Sequence, residues 1–232
     1  MVNLAKRSNR KELLDADSIP FSDIKVCMKE LNSINTLLGG HAITLQGTDR
    51  FISEDDSELT ICEIGCGGGD NLAAIAKKYR EKNVRLLYTG IDLKTACTEF
   101  AAQQYPALHA TWIAADYKKA NLNGHQPDLV FSSLFCHHFT DEELVDMLQW
   151  MKQNSRLGFF INDLQRSAVA YYLIKWLTAA FSRSYLVKND GCISVARSFR
   201  KKDWKHIFEK AGITNYSIRW KWAFRYLIVC KK

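Results

Sequence analysis

At 232 residues, with 47% apolar, 25% charged and 12% aromatic side chains, the chain has a globular composition and room for one generous domain or a domain plus a cap. Collagen-like, disordered and small disulfide-scaffold classes are excluded. The formal charge of +7 is unevenly spread: Arg183 to Lys232 holds 13 basic and 3 acidic residues, so the last fifty positions carry +10 and the rest −3.

No apolar run follows Lys6, Arg7, Arg10 and Lys11, so no export signal is read at the start. In chain order, Ser22 to Leu38 predicts an amphipathic helix through Ile24, Met28, Leu31 and Ile34, ending near Gly39-Gly40. From about Leu59 to Leu164, strand and helix patterns alternate. Leu59–Gly65, Arg85–Asp92, His109–Asp116, Pro127–Leu134 and Leu157–Leu164 read as strands, and Asn71–Tyr79, Lys94–Tyr105 and Asp141 to about Asn154 read as helices. Such alternation predicts a parallel sheet with right-handed crossovers, a doubly wound α/β domain. Ser167–Phe181 reads as a very apolar helix and Lys202–Lys210 as a shorter one. Thr214–Trp220 and Phe224–Cys230 read as a closing hairpin. The apolar stretch Ala168 to Phe181 contains Lys175 and falls short of the ~20 residues a bilayer crossing needs. Seven cysteines (Cys27, Cys62, Cys66, Cys97, Cys136, Cys192, Cys230) form no C-x-x-C pair, so reduced thiols in a cytoplasmic protein are expected.

The segment Glu63-Ile-Gly65-Cys-Gly67-Gly-Gly69-Asp70 sits where the first strand turns into the first helix of the alternation. Glycines there let the backbone approach a ligand, and the helix start offers free N–H groups to an anion. A dinucleotide fingerprint counted from Gly65 would place Asp70 at its last glycine, a poor fit. Counted from Glu63 the segment is E-x-G-x-G-x-G. Asp92 and Asp116 end consecutive strands. Either alone reads as a helix cap or loop residue, but together, downstream of the glycine turn, they mark a ligand-binding edge.

This E-x-G-x-G-x-G resembles the first motif of class I S-adenosylmethionine-dependent methyltransferases, and the resemblance covers roughly Leu59 to Leu164. It implies a Rossmann-like seven-stranded sheet with an antiparallel last strand, and S-adenosyl-L-methionine as cofactor. It places Gly65, Cys66, Gly67 and Gly69 at the methionine end, Asp92 on the ribose and Asp116 on the adenine, and counts Glu63 among the cofactor-binding residues. Leu93, Tyr117, Ser133 and Leu134 are expected alongside. Ser132-Ser-Leu-Phe-Cys-His137-His138-Phe139 resembles the HHF-type segment of quinone-biosynthesis methyltransferases, which implies His137 or His138 as base or orienter of the acceptor. The alternative has one imidazole capping the helix near Thr140-Asp141 and the other packed inside. Asp163 and Arg166 read either as a pair with each other or as substrate-orienting groups.

Only Pro20, Pro106 and Pro127 occur, so the [D/N]-P-P-[Y/F] segment and the Pro-Cys nucleophile of base methyltransferases are absent. No metal site is expected, because adjacent histidines seldom share an ion and no other group has ligand spacing. The basic tail, with Arg197, Arg200, Lys201, Lys202, Lys205 and Trp204, Trp220, Trp222, reads as a peripheral membrane contact, an RNA contact or a solvated face. Without a recognised module, nucleic acid is disfavoured. The resulting expectation is a methyltransferase domain over 51–232 with a lid-like helical insertion at about 167–200 and a helical cap over 1–50. Its acceptor is a small hydrophobic or aromatic molecule. RNA methylation, nicotinamide-dependent oxidoreduction and a non-catalytic cofactor-fold protein are the alternatives, and nothing declares an oligomeric state.

Overall fold

The strands are β1 (Glu58–Ile64), β2 (Arg85–Asp92), β3 (Thr111–Ala114), β4 (Leu129–Ser133), β5 (Gly158–Leu164), β6 (Tyr216–Lys221) and β7 (Arg225–Lys231). The helices are α1 (Phe21–Leu37), α2 (Gly40–Thr48), α3 (Asp70–Tyr79), α4 (Thr95–Gln104), α5 (Asp141–Gln153), α6 (Ala168–Phe181), α7 (Tyr185–Arg197) and α8 (Lys201–Lys210). This computed structural model describes every residue except Met1, Asp17, Glu54, Asp55 and Asn123.

The seven strands form one sheet in the order β3-β2-β1-β4-β5-β7-β6, with β1 to β5 parallel and β7 antiparallel to both β5 and β6. The strand order reverses between β1 and β4, and a ligand crevice forms at the carboxyl ends of strands on such a boundary. The expected doubly wound sheet with its antiparallel last strand is therefore present.

Both faces of the sheet are covered. On one, Leu144, Met147, Leu148 and Met151 of α5 and Trp204, Ile207 and Phe208 of α8 pack on Val130, Phe159, Ile161 and Ile228. Thr140 starts α5 with a capping box: its hydroxyl accepts from Glu143 N–H at 3.2 Å, and Glu143 Oε2 accepts from Thr140 N–H at 2.7 Å. On the other face, Ile43 of α2 and Leu72, Ile75 and Tyr79 of α3 join Ile61, Leu129, Phe131, Phe160 and Leu227. Each such fully buried Leu, Ile or Met stabilises the fold by about 1.5–3 kcal/mol. A third cluster, Ile24, Cys27, Met28, Cys97, Phe100, Leu186 and Val187, joins α1, α4 and α7 beside the sheet's end.

Two helices were not foreseen. Gly39-Gly40 reads as the end of α1, yet Gly40 opens α2. A Cβ at Gly47 would lie 2.5 Å from the Phe160 ring, so glycine is what lets α2 lie close on the sheet. α7 has weak amphipathic periodicity because it is buried on several sides, between α6, α1 and the histidine segment. β3 is shorter than His109–Asp116, since it is an edge strand paired only with Thr89 to Asp92 of β2.

Candidate active site

The turn after β1 is built for close approach. Gly65 adopts φ +68°, and a Cβ there would fall 2.2 Å from the Phe135 ring, so a side chain is excluded twice over. The N–H groups of Gly65 and Cys66 donate to the Ile91 carbonyl at 2.8 and 3.0 Å, fastening the turn to the end of β2. Asp92 holds it from below. Its Oδ2 accepts from Gly67 N–H and its Oδ1 from Lys94 N–H, each at 2.9 Å. Each oxygen retains a second lone pair for a ligand hydroxyl. Burial raises the Asp92 carboxyl above its ordinary pKa, opposed by those two N–H donors and the Lys94 charge.

Glu63 lies behind this turn, fully buried, with Oε1 accepting from Asn71 Nδ2 at 2.9 Å and Oε2 without a partner. Burial, reinforced by the charges of Asp70 and Asp92, raises its pKa well above the carboxylate range.

A cavity of about 770 Å³ runs along the strand ends, a size typical of ligand sites. Gly65, Cys66, Gly67, Asp92, Leu93, Asp116, Tyr117, Ser133, Leu134, His137 and His138 all reach its wall, whereas Glu63 and Gly69 stand behind it. Asp116 also closes its own turn, accepting from Lys118 N–H at 3.0 Å. Tyr117 reaches the wall while its ring packs edge-on against Phe139 and Trp150. The roof is apolar, formed by Ile24, Met28 and Leu31 of α1 and Leu173, Ile174 and Leu177 of α6.

At the far end, neither histidine caps α5, which Thr140 does. His137 Nδ1 lies 2.9 Å from Asp163 Oδ1, and its Nε2 faces Glu12 Oε1 at 3.5 Å. His138 Nδ1 lies 3.0 Å from Asp15 Oδ1, with Nε2 3.8 Å from Glu12 Oε2. Burial alone would raise the Asp163 carboxyl, but the charge and hydrogen bond of His137 outweigh it and hold it below its usual range. Burial pushes Glu12 up to about 7, opposed by the His138 charge and the Ser194 hydroxyl, which donates to Oε1 at 2.8 Å. Asp163 and Arg166 are not partners: Arg166 Nη2 donates to Asp203 Oδ2 at 2.9 Å instead.

Sequence reasoning missed Glu12, Asp15 and Arg225. The first two sit in an unremarked Glu12-Leu-Leu-Asp15 turn that Asp190 of α7 pins by accepting from Leu13 and Leu14 N–H at 2.8 and 2.9 Å. Arg225, at the start of β7, is buried at the cavity wall. Its Nη2 donates to Asn35 Oδ1 at 3.1 Å, while Nε and Nη1 have no partner. Burial lowers its pKa to about 10, offset by the charges of Asp163 and Asp70. Arg197 and Arg225 are thus interior groups, and Trp204 is a core ring, which thins the basic, aromatic surface expected of the tail. Among the described residues no helix is long and apolar enough to cross a membrane, and all seven cysteines are free.

The residues present fit a nucleoside-and-amino-acid cofactor: a cradle that a Cβ would fill, acidic groups at two strand ends, and orphaned guanidinium nitrogens suited to a carboxylate. Residues 61–158 match the family described as Methyltransferase domain. No curated protein matches the chain significantly by sequence. Among solved structures, the plantazolicin methyltransferase BpumL, in complex with SAH, superposes with a TM-score of 0.66 at 12% identity, over 90% or more of each chain (91% of this one, 96% of that one). Human N-acetylserotonin methyltransferase, in complex with SAM, gives 0.63 at 14% identity, covering 97% of this chain and 63% of that one. A Nostoc punctiforme PCC 73102 protein assigned as an O-methyltransferase gives 0.61 at 15% identity, covering 88% of this chain and 60% of that one. The domain match and the fold agree with the glycine turn: residues 61–158 form a methyltransferase domain, set in the seven-stranded fold of S-adenosylmethionine-dependent methyltransferases.

Proposed function

We propose that the protein methylates an oxygen, nitrogen or carbon of a small hydrophobic or aromatic acceptor held between the histidine cluster and the apolar roof. The observation that carries this reading is the roof itself: Ile24, Met28, Leu31, Leu173, Ile174 and Leu177 enclose the cavity beside His137 and His138. Such lining favours an apolar body presenting one polar atom to the imidazoles. The human neighbour, an N-acetylserotonin methyltransferase, carries a name that fits an aromatic acceptor.

In this reading Gly65, Cys66, Gly67 and Gly69 shape the methionine end of the donor site, and Arg225 with Asn35 meets the donor's carboxylate. Asp92 accepts from the ribose hydroxyls and Asp116 from the adenine amino group, with Leu93, Tyr117, Ser133 and Leu134 lining the same groove. Bound S-adenosylmethionine supplies an electrophilic sulfonium methyl for in-line displacement. The chain's own part is to position the acceptor, exclude water and receive the acceptor's proton. His137 is oriented by Asp163, and His138 is the more exposed imidazole at the cavity. Closure by α1 and α6 strengthens every charge interaction inside.

The test supplies methyl-labelled S-adenosylmethionine with the enzyme to a cell extract and fractionates the label. Label in organic-extractable small molecules is expected. Label recovered in RNA or protein would overturn the acceptor class.

A further inference from the structure

Adjacent histidines rarely serve one ion, because successive side chains usually diverge. Here a short 3-10 turn, Cys136–His138, prevents that divergence: the two rings lie with centroids 4.4 Å apart and planes 32° from parallel. Each Nδ1 is engaged by its own carboxylate, His137 by Asp163 at 2.9 Å and His138 by Asp15 at 3.0 Å. A carboxylate partner keeps the proton on Nδ1 and leaves the Nε2 lone pair free, the arrangement found behind metal-ligating imidazoles.

Both Nε2 atoms face one carboxylate, Glu12, at 3.5 and 3.8 Å. These separations exceed a hydrogen bond, so the three groups face one another across a gap. Two ligands each about 2.1 Å from an ion and a tetrahedral angle apart stand about 3.4 Å from each other. The observed gaps lie within a few tenths of an ångström of that figure. One ligating atom from each of Glu12, His137 and His138 lies within 4.8 Å of the other two.

The charge balance points the same way. Asp163, Asp15 and Glu12 surround the two imidazoles. The adjacent guanidinium, Arg197, is committed to backbone carbonyls, donating from Nε to His137 O at 2.9 Å and from Nη1 to Arg10 O at 2.8 Å. A dication would offset this excess of carboxylates. Ser194 fixes the Glu12 carboxylate from behind, and all three ligating residues line the cavity, leaving coordination positions open toward it.

We propose that Glu12, His137 and His138 bind a divalent first-row transition cation of the zinc type, with Asp163 and Asp15 orienting the imidazoles and an open position facing the acceptor cavity. Two imidazoles and one carboxylate suit Zn²⁺, Co²⁺ or Fe²⁺ better than Mg²⁺ or Ca²⁺. The site stands on its own geometry; with the ion bound, its open position and not a free imidazole would take the acceptor's polar atom, and only that use rests on the acceptor reading above. The separation of His137 from Glu12 by 125 positions along the chain hides the site from any spacing rule.

The experiment titrates chelator-treated full-length protein with Co²⁺, followed by visible absorption and by dialysis with elemental analysis. A visible d–d band saturating at one Co²⁺ per chain and displaced by Zn²⁺ is expected. Glu12→Gln and His137→Gln should remove it. Asp15→Asn, which keeps all three ligands, should weaken affinity about 10- to 100-fold, and it decides the matter if circular dichroism shows the other two variants misfolded. Binding that is substoichiometric, unchanged in these variants, or marked by thiolate charge-transfer absorption would overturn the proposal. S-adenosylhomocysteine-induced thermal shift on the same samples reports separately on the donor site, so loss of one reading is not mistaken for loss of the other.

Discussion

The two ends of the cavity are built in opposite ways. The end we assign to the donor is assembled from strand termini and one contiguous glycine turn, Gly65 to Gly69, whose backbone is tied to Ile91 and Asp92 within the same sheet edge. The end we assign to the acceptor is assembled from distant pieces: Glu12 and Asp15 from the N-terminal turn, His137 and His138 after β4, Asp163 from β5, and a roof from α1 and α6. The difference teaches that backbone geometry fixes the first half, whereas side-chain networks fix the second. Changes at one end should therefore leave the other working.

The largest effect should come from breaking the donor backbone. Gly65→Ala forces a Cβ into Phe135 at a left-handed φ, and it should cost about 2–4 kcal/mol in denaturant unfolding and abolish the thermal shift by S-adenosylhomocysteine. A fully responsive variant would contradict the cradle. At the other end, His137→Gln should lower methyl transfer about 100-fold or more with donor affinity intact. Equal losses in both would show that the ends are not separable.

Asp92→Ala is the side-chain test of the donor half. Losing charged hydrogen bonds should weaken S-adenosylhomocysteine about 10- to 100-fold by calorimetry. Unchanged affinity would remove the ribose assignment. A subtler difference is one of pH. Glu63 titrates near its ordinary value when unfolded and well above it when folded, because burial disfavours its charge. Its contribution is thus fully present below the unfolded pKa and lost as pH rises through the folded one. Glu63→Gln stays neutral, so as pH rises above the ordinary carboxylate value it should gain stability relative to the parent; parallel pH profiles would refute this. The smallest change is expected at the roof's outer surface. Trp176, 74% exposed on α6, should tolerate Ser within about 0.5 kcal/mol.

The same division governs what could be read from the sequence. β1, β2, β4 and β5, the helices between them and the glycine turn follow from local periodicity and spacing, and they appear within a residue or two of where the pattern puts them. α2 was hidden because Gly40 and Gly47, needed for close packing against Asn35 and Phe160, look like helix breakers. α7 was hidden because burial on several sides erases amphipathic contrast. The histidines were visible as residue types, but their partners were not: Glu12 and Asp15 carry no local signal, and Asp163 looked closer to Arg166 than to His137. Arg225 was counted with the basic tail, although its guanidinium is an interior group at the cavity wall. The surplus charge of the last fifty residues is therefore partly structural, since Arg197 and Arg225 spend theirs inside the fold.

The central claim, that donor and acceptor ends are independently built, is tested most directly by calorimetric titration of S-adenosylhomocysteine into the parent protein and His137→Gln. Binding to both with affinities within about twofold is the predicted result, since the hydrogen bonds of His137 run to Asp163 and Arg197 and not to the glycine turn or Asp92. No binding to the parent, or a loss of tenfold or more in His137→Gln, would contradict it.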